Sequence, residues 1–359
     1  MHYFIYSSKD SYITKNSSAE VISYKDSEDK NYGGDEILEL KKEFFNSYST
    51  TPQNISRMLT QFDYSDISAS IVDGTITNPK FYLRCYEVEG QSDLNKTYSL
   101  SSFPVNQSWE EGLGKKYDTP PITNDVTWKN RITDSTWTTD GGDWLTGGDY
   151  QASQSFVNQS GDIEMDVTDI VNNHLDSTIP NYGFIIKFSG SLENDISEPY
   201  DLKFFSKNTH TIYAPRLEVR WDDSSFSPGE LNSLSMSGEF ENHIFINGLK
   251  ESYMESERVR FRIGCRKKYV QKTFTESVYN SSFYIPKDSG SYSIVDVATD
   301  TAIVPFGDYS KISCDSISSY FDQNLNAFET GRYYKILFKL KYNDGQEIIY
   351  NNNEEFKIV

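Results

Sequence analysis

Basic residues are scarce in this sequence. Lys and Arg number 34 against 53 Asp and Glu, which leaves a formal net charge of −19. Because such a chain repels phosphate groups, the charge balance argues against a broad nucleic-acid-binding face and against binding to an anionic membrane surface. The acidity by itself predicts solubility and weak non-specific association.

Cysteine is also rare, with only Cys85, Cys265 and Cys314 in the chain. A small odd number without any CxxC spacing does not form a disulfide framework. Cys265 and Cys314 could meet within one domain, but free thiols buried in strands are the preferred interpretation.

Long hydrophobic runs are missing as well. No stretch approaches the roughly 20 apolar residues needed to span a bilayer. Residues 1–20 lack the basic segment and apolar run of a secretion signal. We therefore expect synthesis in a cytoplasm and, for a protein that leaves the cell, release by lysis.

Recognisable catalytic signatures are absent too. None of the four histidines stands in an HExxH or HxH pattern, and no GxSxG, phosphate-binding loop or dinucleotide-binding glycine motif occurs. Carboxylate pairs of the kind that hydrolyse glycosides are uninformative in a chain this rich in Asp and Glu. The sequence predicts a protein that is not an enzyme and that uses no cofactor, unless it binds calcium.

Aromatic residues, by contrast, are abundant, with 26 Tyr and 22 Phe in a chain that is only 36% hydrophobic. Large aromatic side chains bury much apolar area each, and Tyr, Phe and Thr favour strands. We therefore predict an all-β protein.

Several segments show the alternation typical of strands. Residues 216–221 (RLEVRW) predict a strand with one buried and one solvated face. Residues 36–45 (EILELKKEFF) suit a helix or a strand, and their neighbours favour the strand. Asp344 and Gly345 predict a hairpin turn between two strands.

The chain divides into two predicted domains. Residues 1–222 and 230–359 are joined by residues 223–229, a polar linker with Pro and Gly. The second part contains seven short predicted strands, which suggests an immunoglobulin-like β-sandwich; they cover residues 243–247, 259–265, 282–285, 292–297, 311–314, 333–340 and 347–350.

Four of the five tryptophans, Trp109, Trp128, Trp137 and Trp144, fall in a glycine-rich stretch between residues 109 and 155. Exposed aromatic rings with nearby carboxylates and amides have the chemistry of a carbohydrate site. The alternative is that these tryptophans anchor a long loop by packing against the sandwich. Exposure of two or more ring faces would distinguish the two interpretations.

Asp140, Asp143 and Asp149 lie beside glycines in the same stretch. Carboxylates on tight turns are suited to hard cations such as Ca²⁺, although this spacing does not match the EF-hand loop. The alternative is an aromatic-anchored turn without a metal ion.

One strongly basic segment stands out against the acidic background. Arg258, Arg260 and Arg262 share one face of a predicted strand. The segment continues with Arg266, Lys267 and Lys268. Such a surface could dock an acidic protein neighbour and set its orientation; the alternative is an ordinary solvated strand face.

Most of residues 10–222 resembles the DNRLRE-type β-sandwich, a jelly-roll-like domain of surface proteins and of some carbohydrate-binding modules. The resemblance implies a jelly-roll-like first domain. The matching stretches are NYG at 31–33, RMLTQFD at 57–63, FYLR at 81–84, WEEG at 109–112, VTW at 126–128, DVTDIV at 166–171, NYGF at 181–184 and APRLEV at 214–219.

The two-domain layout also resembles virion structural proteins of large T4-like tailed phages of the marine type. The resemblance implies a virion component of the neck, the tail or baseplate periphery, or the capsid surface. It also implies several copies per particle, which bind other virion proteins and neither nucleic acid nor membrane. Host adhesion through surface carbohydrate is the alternative. The segments that carry the resemblance are PRLEVRWDD at 215–223, VRFRIGCRKKYVQKTF at 259–274, KISCDSISSYF at 311–321 and RYYKI at 332–336.

Overall fold

A computed structural model describes most of the chain. It covers residues 1–16, 27–44, 52, 54–88, 97–237, 242–269 and 283–359. Strands dominate these residues, and the only α-helices among them are two short ones. The predicted all-β class is therefore confirmed. Residues 270–274 of one phage-like segment and residue 282 of a predicted strand lie outside the described residues.

Among the described residues, twelve strands and two helices precede residue 221. Short 3₁₀ turns span Gly148–Tyr150 and Gly190–Glu193. The helices are α1 (Ser65–Val72) and α2 (Thr168–Leu175). The strands are β1 (His2–Asn16), β2 (Ile37–Glu43), β3 (Asn54–Phe62), β4 (Lys80–Cys85), β5 (Thr97–Pro104), β6 (Asn130–Ile132), β7 (Ser135–Thr136), β8 (Ala152–Val157), β9 (Ile163–Asp166), β10 (Phe184–Phe188), β11 (Tyr200–Phe205) and β12 (Arg216–Arg220).

The described residues of the later part add eleven strands and a 3₁₀ turn at Leu325–Ala327. The strands are β13 (Asn232–Ser233), β14 (Asn242–Asn247), β15 (Ser252–Tyr253), β16 (Arg258–Lys267), β17 (Phe283–Tyr284), β18 (Gly290–Asp296), β19 (Ala302–Val304), β20 (Ser313–Cys314), β21 (Ser319–Asn324), β22 (Tyr333–Lys341) and β23 (Glu347–Ile358).

The chain forms two compact units. The first unit comprises Ile5–Asp73 and Lys80–Val219; the second comprises Met1–Phe4, Gly74–Pro79 and Arg220–Val359. The predicted domains of residues 1–222 and 230–359 differ from this division. Two short segments that precede residue 80 in the sequence belong to the second unit.

A ten-stranded sheet organises the first unit. Its main path runs β8-β5-β10-β3-β1-β12-β4-β9, and β2 and β11 branch from β3. The two end strands of the path approach each other through Gln154 on β8. Its side-chain amide donates to the Asp162 carbonyl at 3.1 Å and accepts from the Glu164 N–H at 2.7 Å. The sheet is therefore curled, and the Gln154 side chain bridges its two end strands, β8 and β9.

Two larger sheets build most of the described part of the second unit, and β13 and β17 form a separate two-stranded sheet. One has the order β14-β16-β21-β20, and the other has the order β15-β23-β22-β18-β19. Apolar residues of both sheets form one buried core. The Tyr292 ring of one sheet stacks on the Phe321 ring of the other, with centroids 3.9 Å apart. A shared core between two sheets is typical of sandwich packing.

Strands occur in the segments for which the sequence predicted them. Within the segment at 36–45, Ile37–Glu43 form a strand, β2, as the neighbouring segments indicated, and residue 45 lies outside the described residues. The hairpin at Asp344 and Gly345 joins β22 to β23, and Gly345 has a φ of 86°. The three cysteines are free and buried, as expected.

The solvated face predicted for β12 was wrong. Arg216 and Glu218 are both buried, and β12 lies between β1 and β4 in the sheet. The Glu218 carboxylate is 3.1 Å from Arg84 on β4. Alternation between polar and apolar residues identifies a strand. It does not show whether the polar face is exposed to solvent or is buried with its charged side chains in ion pairs.

No pattern indicated α1 or β21. Helix α1 has only eight residues and buries only Ile67, too little for a helical period to show. Strand β21 (SYFDQN) mixes polar and aromatic residues and lies close to the predicted strand at 311–314. Within the described residues, no helix is both long and apolar enough to cross a membrane.

Candidate functional site

The tryptophan stretch packs against the sheet of the first unit. Trp109, Trp137 and Trp128 are only 1%, 3% and 5% exposed, and Trp144 is partly buried. The Trp109 indole N–H donates to the Tyr182 carbonyl at 2.8 Å. These rings therefore do not offer two open faces to a ligand.

The three buried tryptophans share a core with strand residues of the sheet. Their apolar neighbours include Ile13 on β1, Leu59 on β3 and Ile185 on β10. Trp144 packs against the same cluster. The structure therefore supports the loop-anchoring interpretation of these tryptophans over the carbohydrate site.

A buried network of charged side chains also contacts the tryptophan stretch. Arg57 donates to both carboxylate oxygens of Glu193, at 2.8 and 3.1 Å. Lys187 approaches the same carboxylate at 2.6 Å. The Arg57 guanidinium also lies 4.7 Å from the Trp128 ring and 4.9 Å from the Trp144 ring. The two rings thus face the cation of this network.

Gly141 is needed where the loop crosses this network. Its φ is 90°, and its carbonyl accepts a hydrogen bond of 2.6 Å from Arg57. A Cβ at this position would lie 2.5 Å from Arg57 Nη1 and 2.6 Å from Trp128 Cζ2. Both the backbone conformation and the available space therefore require glycine.

We expect Gly141→Ala to lower the free energy of unfolding by about 1–3 kcal/mol, because alanine is strained at positive φ and clashes here. Urea denaturation measures the change. Gly148→Ala is the matched control, since a Cβ there meets no atom within 4 Å. Equal stabilities of the two variants would contradict the packing role of Gly141.

The three candidate calcium ligands do not come together. The Asp143 carboxylate accepts hydrogen bonds from the N–H groups of Thr138 and Thr139, at 2.6 and 3.0 Å. Asp140 and Asp149 are exposed. In the part of the chain that the structure describes, which includes all three, no group of three or more His, Cys, Asp or Glu residues is arranged to hold a metal ion. Asp143 instead stabilises the turn.

The basic segment forms the outer face of β16. Arg258, Arg260, Arg262 and Arg266 alternate with the more buried Val259, Phe261, Ile263 and Cys265. We call these four arginines the arginine face. Lys267 ends the strand, Lys268 follows it, and both are exposed.

Two aspartates beside the strand hold the middle of the arginine face. Arg260 forms a bidentate ion pair with Asp322 on β21, in which Nε and Nη2 donate to the two carboxylate oxygens at 2.8 and 2.9 Å. Arg262 also forms a bidentate ion pair with Asp315, at 3.0 and 2.9 Å. The Arg260 guanidinium stacks 4.0 Å above the Tyr320 ring. These contacts fix the guanidinium planes in place.

The arginine face retains an excess of positive charge. The guanidinium groups of Arg258, Arg260 and Arg262 contact the two carboxylates of Asp315 and Asp322, and Arg266 adds a fourth positive charge. Burial lowers the pKa of His243 on the adjacent strand, and the positive charges of Arg266 and Lys268 lower it further. The positive charges of Arg266 and Lys268 therefore disfavour protonation of His243.

The first unit also contains a polar cleft that no sequence pattern indicated. It encloses about 430 Å³, within the usual range for ligand sites. Its floor is formed by β2 and β11, where opposite charges alternate like the squares of a checkerboard: Glu39 lies opposite Lys203, and Lys41 lies opposite Asp201, in the strand register. The alternation of Ile37, Glu39 and Lys41 was the available signal, but it could not show which side chains lie opposite.

The wall of the cleft is formed by residues 115–117, opposite Asp35. The Lys116 ammonium lies 2.6 Å from both Glu39 carboxylate oxygens, and the Lys116 N–H donates to Asp35 at 3.1 Å. The Tyr117 ring at the rim is 69% exposed. We call this feature the checkerboard cleft.

A scan of the chain against protein-family models gives no match, and a search among curated proteins gives none either. The resemblances to the DNRLRE-type domain and to phage virion proteins therefore stay predictions.

Proposed function

We propose that this protein is a non-enzymatic structural component of a tailed-phage virion that works by forming protein–protein interfaces. The observation that carries the proposal is the arginine face, an ordered row of guanidinium groups in a chain with a net charge of −19. The proposed location is the virion, at the neck, the tail or baseplate periphery, or the capsid surface. The proposed partners are other virion proteins, with several copies per particle.

The proposed architecture is a jelly-roll-like first unit and an immunoglobulin-like second unit. The curled ten-stranded sheet supports the first assignment. The two sheets around one aromatic core support the second. Rigid sandwiches suit a structural role, because symmetric assembly multiplies contacts that are individually weak.

The partner that fits the arginine face is an acidic protein surface. Asp315 and Asp322 hold the central guanidinium groups in fixed planes, so little side-chain entropy is lost when a partner binds. Arg258, which lies 3.7 Å from Asp322 and is mostly exposed, and Arg266 stand at the two ends, where carboxylates of a neighbour would bind. Charge complementarity of this kind mainly sets orientation and association rate.

Host adhesion through surface carbohydrate was the alternative function. Its expected site was the tryptophan stretch, and those rings are largely buried. A carbohydrate site in this protein therefore requires a different surface from the one that the sequence indicated.

Mass spectrometry of purified phage particles tests the virion assignment directly. We expect the chain in the particles at a fixed stoichiometry relative to the major structural proteins. Absence of the chain from particles that are otherwise complete would refute the proposal.

A charge-reversal variant tests the docking surface. We expect Arg258→Glu combined with Arg266→Glu to reduce incorporation into particles about tenfold or more, because the ends of the face would then repel an acidic partner. The variant removes the contact of Arg258 with Asp322 and leaves the side chains of Arg260, Arg262 and their two aspartates unchanged. Incorporation can be measured by quantitative mass spectrometry.

Lys250→Glu combined with Lys287→Glu is the matched control. It makes the same change in net charge at two exposed lysines outside the arginine face, and we expect normal incorporation. If both double variants are incorporated equally well, the arginine face is not the docking surface.

A further inference from the structure

The chain contains one Asn–Gly dipeptide, and it lies at the end of β14, the strand next to β16 in the sheet. Asn247 is the last residue of the strand. Gly248 follows in a turn with a φ of 71°. Both residues are exposed, and a Cβ on Gly248 would meet no atom within 4 Å. The dipeptide is therefore uncrowded and accessible to water.

We propose that Asn247 is a site of spontaneous deamidation, and that the carboxylate formed there weakens the docking of an acidic partner on the arginine face. The chemical step does not depend on the proposed function. Its consequence for docking rests on the proposed role of the arginine face. The two parts are therefore tested by separate measurements.

The step begins when the Gly248 backbone nitrogen loses its proton and attacks Cγ of Asn247. A bond between that nitrogen and Cγ forms, the bond between Cγ and Nδ2 breaks, and Nδ2 takes up a proton and leaves as ammonia. The product is a cyclic succinimide. Water then opens the ring at either carbonyl carbon, which gives aspartate or isoaspartate. The net change consumes one water molecule and replaces a neutral amide by a carboxylate.

The local structure leaves both reacting groups unrestrained. Glycine has no Cβ to obstruct the approach of its nitrogen, and its backbone angles are the least restricted. Among the described residues, neither the Gly248 N–H nor the Asn247 side chain takes part in a hydrogen bond. The turn can therefore rotate into the attacking geometry without breaking a hydrogen bond of either group.

Asn247 lies beside the arginine face. It is opposite Arg262 in the register of β14 and β16, and side chains at opposite positions on antiparallel strands have Cβ atoms about 4.5–5.5 Å apart. The preceding Ile246 is buried in the core, so Asn247 points to the same outer side as the arginines. Nearby positive charge stabilises the anionic nitrogen that attacks and the carboxylate that results.

The new carboxylate reduces the positive excess of the arginine face. Four guanidinium groups and the carboxylates of Asp315 and Asp322 leave an excess of two positive charges. A third carboxylate, at position 247, halves that excess. An acidic partner is then attracted less, and association slows because charge complementarity governs the encounter. Newly made chains therefore dock faster than aged ones.

Peptide mapping of the full-length protein by mass spectrometry tests the chemical step. We expect the peptide that contains Asn247 to gain about 1 Da, faster at mildly alkaline than at neutral pH, because the attack needs a deprotonated nitrogen. Asn343 is the internal control, since it is also exposed in a turn of the second unit but precedes Asp344, whose Cβ obstructs the attack. We expect conversion of Asn343 to be at least about tenfold slower.

Binding of a hexaglutamate peptide tests the effect on the arginine face. Asn247→Asp carries the charge of the product from the start, and Asn343→Asp places the same charge on the hairpin between β22 and β23, in the other sheet. Calorimetry in about 0.1 M salt restricts the comparison to nearby charges, since the Debye length is then about 10 Å. We expect Asn247→Asp to bind the peptide about threefold or more weakly than fresh wild type, and Asn343→Asp to bind it like wild type.

Unchanged circular dichroism is expected for both variants, because both positions are exposed. Three results would overturn the proposal: conversion of Asn343 as fast as that of Asn247, equal hexaglutamate binding by Asn247→Asp and wild type, and no hexaglutamate binding by wild type. Absence of the chain from phage particles would refute the virion assignment alone, since neither measurement uses particles.

Discussion

Replacing Glu193 by Gln is expected to destabilise the first unit by about 3–5 kcal/mol. The substitution keeps the size of the side chain and removes its charge. Arg57 and Lys187 are both buried beside Glu193. Without the carboxylate they become two buried cations with no counter-ion between them, and their desolvation is no longer offset.

Loss of the Glu193 charge should also weaken the packing of the tryptophan stretch against the sheet. Arg57 joins Glu193, the Gly141 carbonyl and the rings of Trp128 and Trp144. When its position is no longer fixed, the rings lose a cation and a packing partner. We expect a red shift of tryptophan fluorescence at urea concentrations where the wild type is still folded.

Urea denaturation followed by circular dichroism and by fluorescence measures both effects. Glu164→Gln is the control, because the Arg84–Glu164 pair is more exposed and Arg84 keeps its contact with Glu218. We expect Glu164→Gln to lower the free energy of unfolding by less than about 1 kcal/mol. Similar losses from Glu193→Gln and Glu164→Gln would show that the buried network does not hold the loop.

Replacing Asp10 by Asn should change how stability depends on pH. Asp10 is fully buried on β1. One carboxylate oxygen accepts from the Lys207 N–H at 2.6 Å, and the other has no hydrogen-bond partner among the described residues. The pKa of Asp10 is raised to about 7, chiefly by burial and also by the charge of Glu111, while Lys207 opposes the rise.

The direction of the pH effect follows from proton binding. In an unfolded chain an Asp carboxyl has a pKa of about 3.9. Between roughly pH 4 and pH 7 the folded chain therefore holds a proton that the unfolded chain has lost, and stability falls as pH rises through this window. An asparagine side chain does not titrate, so the free energy of unfolding of the variant does not fall for this reason as pH rises.

We expect the stability difference, Asp10→Asn minus wild type, to rise between pH 4 and pH 8 by roughly 3–4 kcal/mol, the free energy that corresponds to this pKa shift. Urea denaturation at pH 4, 6 and 8 measures it. Asp149→Asn, which makes the same substitution at an exposed position, is the matched control. A pH-independent difference for Asp10→Asn would mean that Asp10 is ionised in the folded protein throughout this range.

The sequence indicated the strands better than it indicated their surroundings. Strands β12 and β16 were predicted from alternation, because this pattern depends only on which side chains point to which face. The burial of Glu218 was not predicted, since it depends on a neighbouring strand that supplies Arg84. Composition alone cannot reveal such a partner.

The candidate sites show the same limit. The spacing of Arg258, Arg260 and Arg262 placed them correctly on one face. Their partners Asp322 and Asp315 lie 62 and 53 positions away from Arg260 and Arg262. Pairing at that separation is decided by strand order, which no local pattern encodes.

The amino-acid sequence by itself determined the all-β class, the acidic charge, the buried free cysteines and the single-faced row of arginines. These properties depend on composition or on a two-residue period. The tertiary structure alone decided that the tryptophans form a core, that the three aspartates do not gather, and that Glu39 and Lys41 face Lys203 and Asp201 in a cleft. Each of these outcomes depends on which distant strand lies alongside, because burial and pairing are properties of neighbours in space.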